Sequence, residues 1–403
     1  MSWGAHAGIG DRFHRYMDRR MRSGGGTGNG SQFLFELEGR LDPEELGARL
    51  DALPGPWTRV PLQVLDGSPE IESFFNEHYA RDFPRPESQE PLEAVLSLSD
   101  ERSLLLLRWN HVLMDAPGGD LLVRMLDGED PERFRLHDSP PSLWKRASRG
   151  SWLKALLAVH EHALRFLLGS IPGPAQRDRR ADDPQPRARI ALLDAEQTAS
   201  VDRRAAELAG PLEANHFVLA CALQACAEAL SIGPSQRLLV PCPLDLRPPA
   251  WRGPVFSNYF SSVLLRLPGS VLQSTDQAIA AVRGAFRHAL ARRQEVANLF
   301  MMGLARWVPY PLLRLLMEGP SLRDPASLYY SKVELTAGRK GQLLGLPLAS
   351  CVIGSSVLRL PGLTVLVSRC AGRLTIAVLG NGFRDDQQLL ERLIGLLTGS
   401  EAS

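Results

Sequence analysis

The sequence predicts a mixed α/β (α+β) protein built from two subdomains, and three observations carry that expectation. At 403 residues the chain is long enough for two halves that each bury a core. Strand-like and helix-like patterns interleave throughout both halves rather than separating into blocks. Between them lies Ser170-Ile-Pro-Gly-Pro-Ala-Gln-Arg-Asp-Arg-Arg-Ala-Asp-Asp-Pro-Gln-Pro186, whose proline, glycine and dense charge oppose a packed core. The expected organisation is residues 1–170, a linker over 171–186, and residues 187–403.

In the first half, a glycine-rich stretch over residues 23–31 precedes a strand at 32–37. No Gly-Lys-Ser/Thr follows it and a strand stands where a phosphate loop needs a helix, so it reads as a flexible loop. Asp42 and Pro43 mark a helix start, and the helix runs to about Leu53. A second helix is expected over 70–80. Residues 91–98 and 102–110 form a hairpin about a Ser-Asp-Glu turn, and a helix follows over 117–126. Residues 151–168 have the pattern of a long amphipathic helix.

The second half opens with a strand at 187–193 and a helix over 195–208 that Asp194 caps and Gly210 ends. Further helices are expected at 213–230 and, unbroken, at 274–294, with short strands at 236–241 and 260–267. Residues 363–370 and 373–379 form a hairpin about Ala371-Gly372, and a final helix spans 385–397.

Composition narrows the function. Hydrophobic content of 44% and charged content of 23% are those of a globular protein. A net charge of +1 gives no field to gather nucleic acid, so no nucleic-acid partner is expected. Lysine occurs only at Lys145, Lys154, Lys332 and Lys340; GC-rich coding explains the arginine bias more simply than an arginine-specific function. Cys221, Cys226, Cys242, Cys351 and Cys370 form no C-x-x-C pair and have no histidine at zinc-ligand spacing. They read as reduced thiols of a cytoplasmic protein with no metal site. The first 26 residues lack the apolar core of a signal peptide, and no apolar run is long enough to span a bilayer.

The chemistry concentrates in Leu104-Leu-Leu-Leu-Arg-Trp-Asn-His-Val-Leu-Met-Asp-Ala-Pro-Gly-Gly119. An almost wholly apolar strand delivers His111 at its end, Asp115 follows four residues later, and small residues open a helix. A buried strand fixes a side chain while its end meets a cleft. An imidazole there suits proton transfer near neutral pH. Taken alone, a short His-x-x-x-Asp pattern is equally that of an ordinary strand-end histidine.

That segment resembles the H-H-x-x-x-D-G motif of the superfamily of chloramphenicol acetyltransferase, peptide-synthetase condensation domains and wax ester synthase/diacylglycerol acyltransferases. Four further segments are similar to it in the same order. They are Ala214-Asn-His-Phe-Val-Leu-Ala-Cys-Ala-Leu223, Val240-Pro-Cys-Pro-Leu-Asp-Leu-Arg-Pro248, Ser257-Asn-Tyr-Phe260 and the hairpin over 362–376. The resemblance implies two chloramphenicol acetyltransferase-like subdomains in a V with a tunnel between them. It implies transfer of an acyl group from a CoA or carrier-protein thioester to a hydroxyl or amine acceptor, giving an ester or amide in bacterial lipid or secondary-metabolite biosynthesis. No permanently bound cofactor is implied; acyl-CoA or acylated phosphopantetheine serves as co-substrate. His111 takes the position of the family's catalytic base. Asp115 takes that of its structural carboxylate, and Arg247 that of the carboxylate's partner.

Departures are specific. Asn110 replaces the first histidine, Ala116 replaces the glycine, and the condensation-domain D-F-G-W-G segment is missing near Leu328-Tyr-Tyr-Ser-Lys-Val333. Asn110, Asn258, Tyr330 and Ser331 are the candidates for substrate or oxyanion contact. The departures also admit a second expectation, a catalytically degenerate member kept as a binding or scaffold subunit of a synthase. Soft and aromatic side chains over 297–317 suggest an acyl-pocket wall or a lipid-facing surface, beside the simpler account of ordinary packing. The basic run over 144–149 suggests a peripheral membrane or carrier contact, beside that of a solvated helix face.

Overall fold

The computed structural model describes residues 11–136, 157, 186–381 and 385–400, apart from 56, 58, 212, 248–252, 306–307, 313–325, 339 and 358–361. The expected linker up to residue 185, the helix over 151–168 and the basic run over 144–149 lie outside the described residues.

In chain order the first elements are α1 (Asp11–Ser23), β1 (Gly30–Glu38), α2 (Pro43–Ala52), β2 (Leu62–Asp66) and α3 (Ile71–Tyr79). Then come β3 (Leu92–Leu98), β4 (Arg102–Asn110) and α4 (Ala116–Leu126). The second half contributes β5 (Pro186–Leu192), α5 (Ala195–Leu208), α6 (Ala214–Ala229), β6 (Arg237–Asp245), β7 (Phe260–Pro268), α7 (Thr275–Ala291) and α8 (Gln294–Ala305). It closes with β8 (Tyr329–Glu334), β9 (Gln342–Leu343), β10 (Leu346–Ser355), β11 (Leu363–Cys370), β12 (Arg373–Asn381) and α9 (Asp386–Thr398).

Local chemistry accounts for many of these boundaries. Asp42 accepts hydrogen bonds from the Glu44 and Glu45 amides, and Pro43 needs none at the first helical position. Asp194 and Gln197 close a reciprocal capping box on α5. The β11–β12 hairpin turns at Ala371 and Gly372, both at positive φ (48° and 78°), the pair a two-residue turn with right-handed strand twist requires.

Three sheets result. A six-stranded sheet runs β2-β3-β4-β1-β10-β9, a four-stranded sheet runs β5-β12-β11-β8, and β6 and β7 form a ribbon. The central pair β1–β4 is antiparallel from Gly30↔Asn110 to Glu38↔Arg102. One core fills the space around the six-stranded sheet, with Phe33, Phe35, Leu105, Leu107 and Trp109 fully buried. A second core joins α6, α7 and α9 to the four-stranded sheet.

Three expectations need correction. Residues 342–355, assigned from sequence to the second half, complete the first sheet: β10 pairs with β1 from Ser31↔Ser355 to Leu37↔Leu348. A partner more than 300 residues away leaves no local trace. The helix expected to run unbroken over 274–294 ends at Ala291, and Arg293 adopts φ 56° before α8 begins. Neither Gly nor Pro marks that break. The strand expected to stop at residue 241 continues to Asp245 despite Pro241 and Pro243, because among the described residues β7 is its one ladder partner and its other edge is free of a ladder. Helix α1 and strands β2, β8, β9 and β10 had no counterpart in the sequence expectation.

Because β10 packs into the first core, its side chains should matter as much as those of the N-terminal strands. Ile353 is 4% exposed. Ile353→Ala is expected to lower unfolding free energy by about 2–5 kcal/mol. Urea melts showing less than about 1 kcal/mol would make β10 peripheral to that core.

Candidate active site

The turn after β4 is fixed before any long-range contact acts. Asn110 Oδ1 accepts from the Val112 amide at 3.0 Å, and Trp109 Nε1 donates to the Met114 carbonyl at 3.0 Å. The His111 amide donates to the Asn29 carbonyl at 2.7 Å. His111 thus leaves the strand with its backbone held on both sides.

Asp115 begins α4 and does three things at once. Its Oδ1 caps the helix by accepting from the Gly118 amide at 2.9 Å. Both carboxylate oxygens take a forked pair from Arg247, Nη2 to Oδ1 at 2.8 Å and Nη1 to Oδ2 at 2.9 Å. Oδ2 also accepts from the Tyr259 amide at 2.8 Å. The two charged side chains are each only 4% exposed, so the pair is desolvated and must be satisfied internally. Arg247 in turn donates to the Pro254 carbonyl at 2.8 Å. Gly118 allows the close approach: a Cβ there would sit 2.4 Å from the Val255 carbonyl oxygen.

The consequence of anchoring Tyr259 is the placement of its neighbour. Asn258 Nδ2 donates to the His111 carbonyl at 2.8 Å, and Asn258 Oδ1 lies 2.9 Å from His111 Nδ1. A backbone carbonyl only accepts, so the amide nitrogen must face it and the amide oxygen must face the ring. His111 Nδ1 therefore carries the proton, and Nε2 presents a lone pair. That is the tautomer a general base needs. Burial lowers the His111 pKa below the usual imidazole value, opposed by hydrogen bonding, including that with Asn258, and by the Asp115 carboxylate.

Helix α1, absent from the sequence expectation, supplies the other wall. The His14 ring stacks on His111 with centroids 4.3 Å apart and planes 3° from parallel, and Phe260 of β7 lies edge-on to His14 at 5.6 Å. Asp18, one turn further along, accepts from the Asn29 amide at 2.9 Å, Asn110 Nδ2 at 2.8 Å and Arg22 Nε at 3.0 Å. Helix α1 also packs Tyr16, Met17 and Met21 against Val308, Tyr310 and Tyr329 of the second half. The signal in the sequence was the spacing of His14, Met17, Asp18 and Met21 on one helical face.

The remaining candidates separate from this cluster. Asn110 is fully buried, with its amide shared among Asp18, the Pro84 carbonyl and the Val112 amide, so it braces the turn. Asn258 orients the His111 ring. Tyr330 and Ser331 lie on β8 in the four-stranded sheet; the Tyr330 ring is buried in the second core, beside Cys221 and Cys242. Ala116 opens α4 in ordinary helical backbone, so the motif's glycine is not required there. The five cysteines are buried, and burial pushes Cys221, Cys226 and Cys242 up to about 12, which leaves them poor nucleophiles. A small cleft lined by Glu36, Leu193, Ser350 and Arg373 shares no residue with the site.

Two outcomes follow from these contacts. Asp115→Asn leaves Arg247 with only the more exposed Asp245 carboxylate, 3.1 Å from Nη1, as counter-charge and should destabilise the protein by up to about 3–5 kcal/mol; a loss below about 1 kcal/mol in urea melts would deny the pair that weight. Acid should also destabilise the fold. His14, His78 and His111 all have folded pKa values lowered chiefly by burial, His78 to about 4. The unfolded chain then binds more protons below the free imidazole value of about 6.5. Stability is full above that pH and falls below it, the His78 share continuing to be lost down to about 4. Melting temperatures unchanged between pH 7 and 5 would contradict this.

No family model and no curated protein matches the sequence. Solved structures do match its fold. The trichothecene 15-O-acetyltransferase of Fusarium sporotrichioides superposes with a TM-score of 0.69 at 13% identity, over 98% of this chain and 94% of that one. The first condensation domain of the calcium-dependent antibiotic synthetase gives 0.67 at 16%, over 98% and 96%. Polyketide synthase associated protein 5 of Mycobacterium tuberculosis gives 0.63 at 15%, over 99% and 100%. With two large cores, two principal sheets and β10 crossing between the halves, the chain has the fold shared by this acetyltransferase and condensation domains.

Proposed function

We propose that this protein transfers an acyl group from a thioester, carried by CoA or a carrier protein's phosphopantetheine, to a hydroxyl or amine acceptor. The observation that carries the proposal is the tautomer of His111. Asn258 fixes the proton on Nδ1 and so leaves Nε2 as a base at the end of a buried strand. One similar structure is an O-acetyltransferase and others are condensation domains, which makes thioester chemistry the natural class for this fold.

In the proposed reaction the acceptor's O–H or N–H proton moves to His111 Nε2 as its heteroatom bonds to the thioester carbonyl carbon. The tetrahedral adduct then re-forms the carbonyl and breaks the carbon–sulfur bond. The leaving thiolate takes the proton back from the imidazolium. Asp115 and Arg247 stay out of proton transfer and hold Asn258 in place through the Tyr259 amide. No cofactor is needed beyond the thioester co-substrate. The scaffold alternative loses two of its three sequence motives, because Asn110 and Ala116 fit their positions without disturbing His111, and keeps the third, the unmatched segment over 328–333.

His111→Ala should lower acyl transfer by roughly 10²–10⁴-fold while leaving folding intact. The parent's rate should be flat at neutral pH and fall in acid through an apparent pKa below the free imidazole value of about 6.5, because the base must be neutral. The check is release of free thiol from a panel of acyl-thioesters offered hydroxyl and amine acceptors. An Ala variant as fast as its parent removes His111 as the base. No turnover alongside tight binding of acyl carrier protein supports the scaffold alternative.

A further inference from the structure

The two stacked imidazoles at the site are fixed in opposite tautomers. Asn29 Nδ2 donates to the His14 backbone carbonyl at 3.2 Å, and that contact orients its amide, since the carbonyl only accepts. The same nitrogen lies 3.1 Å from His14 Nδ1, which therefore accepts. The His14 proton sits on Nε2. This N–H is buried and has no hydrogen-bond acceptor among the described residues. It cannot reach the lone pair of His111, because the two rings lie in nearly parallel planes 4.3 Å apart and each N–H points within its own plane.

A buried donor without an acceptor is unfavourable, and while Trp57, His78 and Tyr330 also bury polar atoms unpartnered among the described residues, His14 is distinguished by its ring lying against that of His111. Asn110 is engaged by the turn and Asp18 and Asn258 by His111, while the Tyr330 hydroxyl, also without a partner among the described residues, lies in the second core. Resting on the acyl-transfer reading above, we propose that His14 is a second catalytic residue, whose Nε2–H donates to the carbonyl oxygen of the acyl thioester and holds the charge that develops there.

The pairing matches what addition to a carbonyl requires. As the acceptor bonds to the carbonyl carbon and gives its proton to His111 Nε2, the π electrons of the C=O bond move onto oxygen, where the His14 N–H receives them. Collapse returns those electrons to the C=O bond, breaks carbon–sulfur, and sends the proton from His111 to the thiolate. Burial, with the neighbouring His111 charge adding to it, keeps His14 well below the usual imidazole pKa, so it stays a neutral donor and does not compete for the acceptor's proton. Phe13 and Phe260 stand edge-on to His14 at 5.5 and 5.6 Å and are only partly buried, so they are the side chains between the donor and solvent that an acyl group would have to displace.

The test compares His14→Phe, which keeps a flat ring against His111 and removes the N–H, with His14→Gln, whose amide keeps an N–H near the same place. Both are followed with acetyl-, octanoyl- and palmitoyl-CoA and 1-octanol as acceptor, reading free CoA thiol, with circular dichroism and thermal midpoints to verify folding. His14→Phe should lower kcat by roughly 10²–10³-fold with KM for the thioester changed less than about twofold. His14→Gln should recover about tenfold or more of that loss. A Phe variant at the parent's kcat overturns the proposal, as does an equal loss in Phe and Gln. His111→Ala in the same assay judges the parent reading separately: if it keeps full rate, general-base catalysis fails whatever His14 does. Nitrogen-15 histidine spectra give a readout independent of turnover. Adding the ketone analogue of octanoyl-CoA, with CH₂ in place of sulfur, should move the His14 Nε2 proton downfield, and an unmoved resonance at saturating analogue overturns the proposal.

Discussion

The Asp115–Arg247 pair joins the two halves at the point where the chemistry is placed. Its carboxylate caps α4 in the first half, grips the guanidinium of Arg247 through both oxygens and holds the Tyr259 amide in the second. Burying two charges is unfavourable by itself, and a pair like this is weak evidence of net stabilisation. Its value lies in geometry. A forked pair tolerates little displacement, and each remaining oxygen contact is directional, so the backbone at 257–259 is set against the turn at 110–115 within hydrogen-bond tolerance. Asn258 inherits that precision and passes it to the imidazole.

Around this pair the site is assembled from four separate stretches of chain. Strand β4 brings His111, the approach to β7 brings Asn258, α1 brings His14, and the glycine-rich turn brings Asn29. Two side-chain amides perform the same task on two histidines: each donates to the backbone carbonyl of the residue whose ring it serves, or whose own helix carries it, and thereby fixes which ring nitrogen holds the proton. The results are opposite because the amide oxygen faces one ring and the amide nitrogen the other. Burial keeps both rings neutral, and the fold gives up acid stability in exchange for that neutrality.

Asp120 shows the same linking of halves away from the chemistry. It projects from α4, is buried, and accepts from the Thr336 and Ala337 amides at 2.7 and 2.8 Å, pinning the segment after β8 to the first half. With β10 in the first sheet and α1 packed on Val308 and Tyr310, the chain crosses between its halves repeatedly. The two halves are therefore joined by covalent and hydrogen-bonded crossings as well as by side-chain contact.

What the sequence determined by itself is the set of features that local physics specifies. Asp42-Pro43 and Asp194 start helices because a side-chain oxygen answers unpaired amides within three residues. The hairpins over 92–110 and 363–381 follow from short apolar runs and turn chemistry within a few positions. His111, Asp115 and Arg247 were nameable through the resemblance of their segments. The tertiary structure decided the rest. β10 depends on a ladder partner more than 300 residues away, and the break at Arg293 has no residue type that announces it. His14 and Asn29 entered the site only once α1 had docked. Tautomers are likewise beyond any sequence motif, since the nitrogen that carries the proton is chosen by the direction from which an amide approaches.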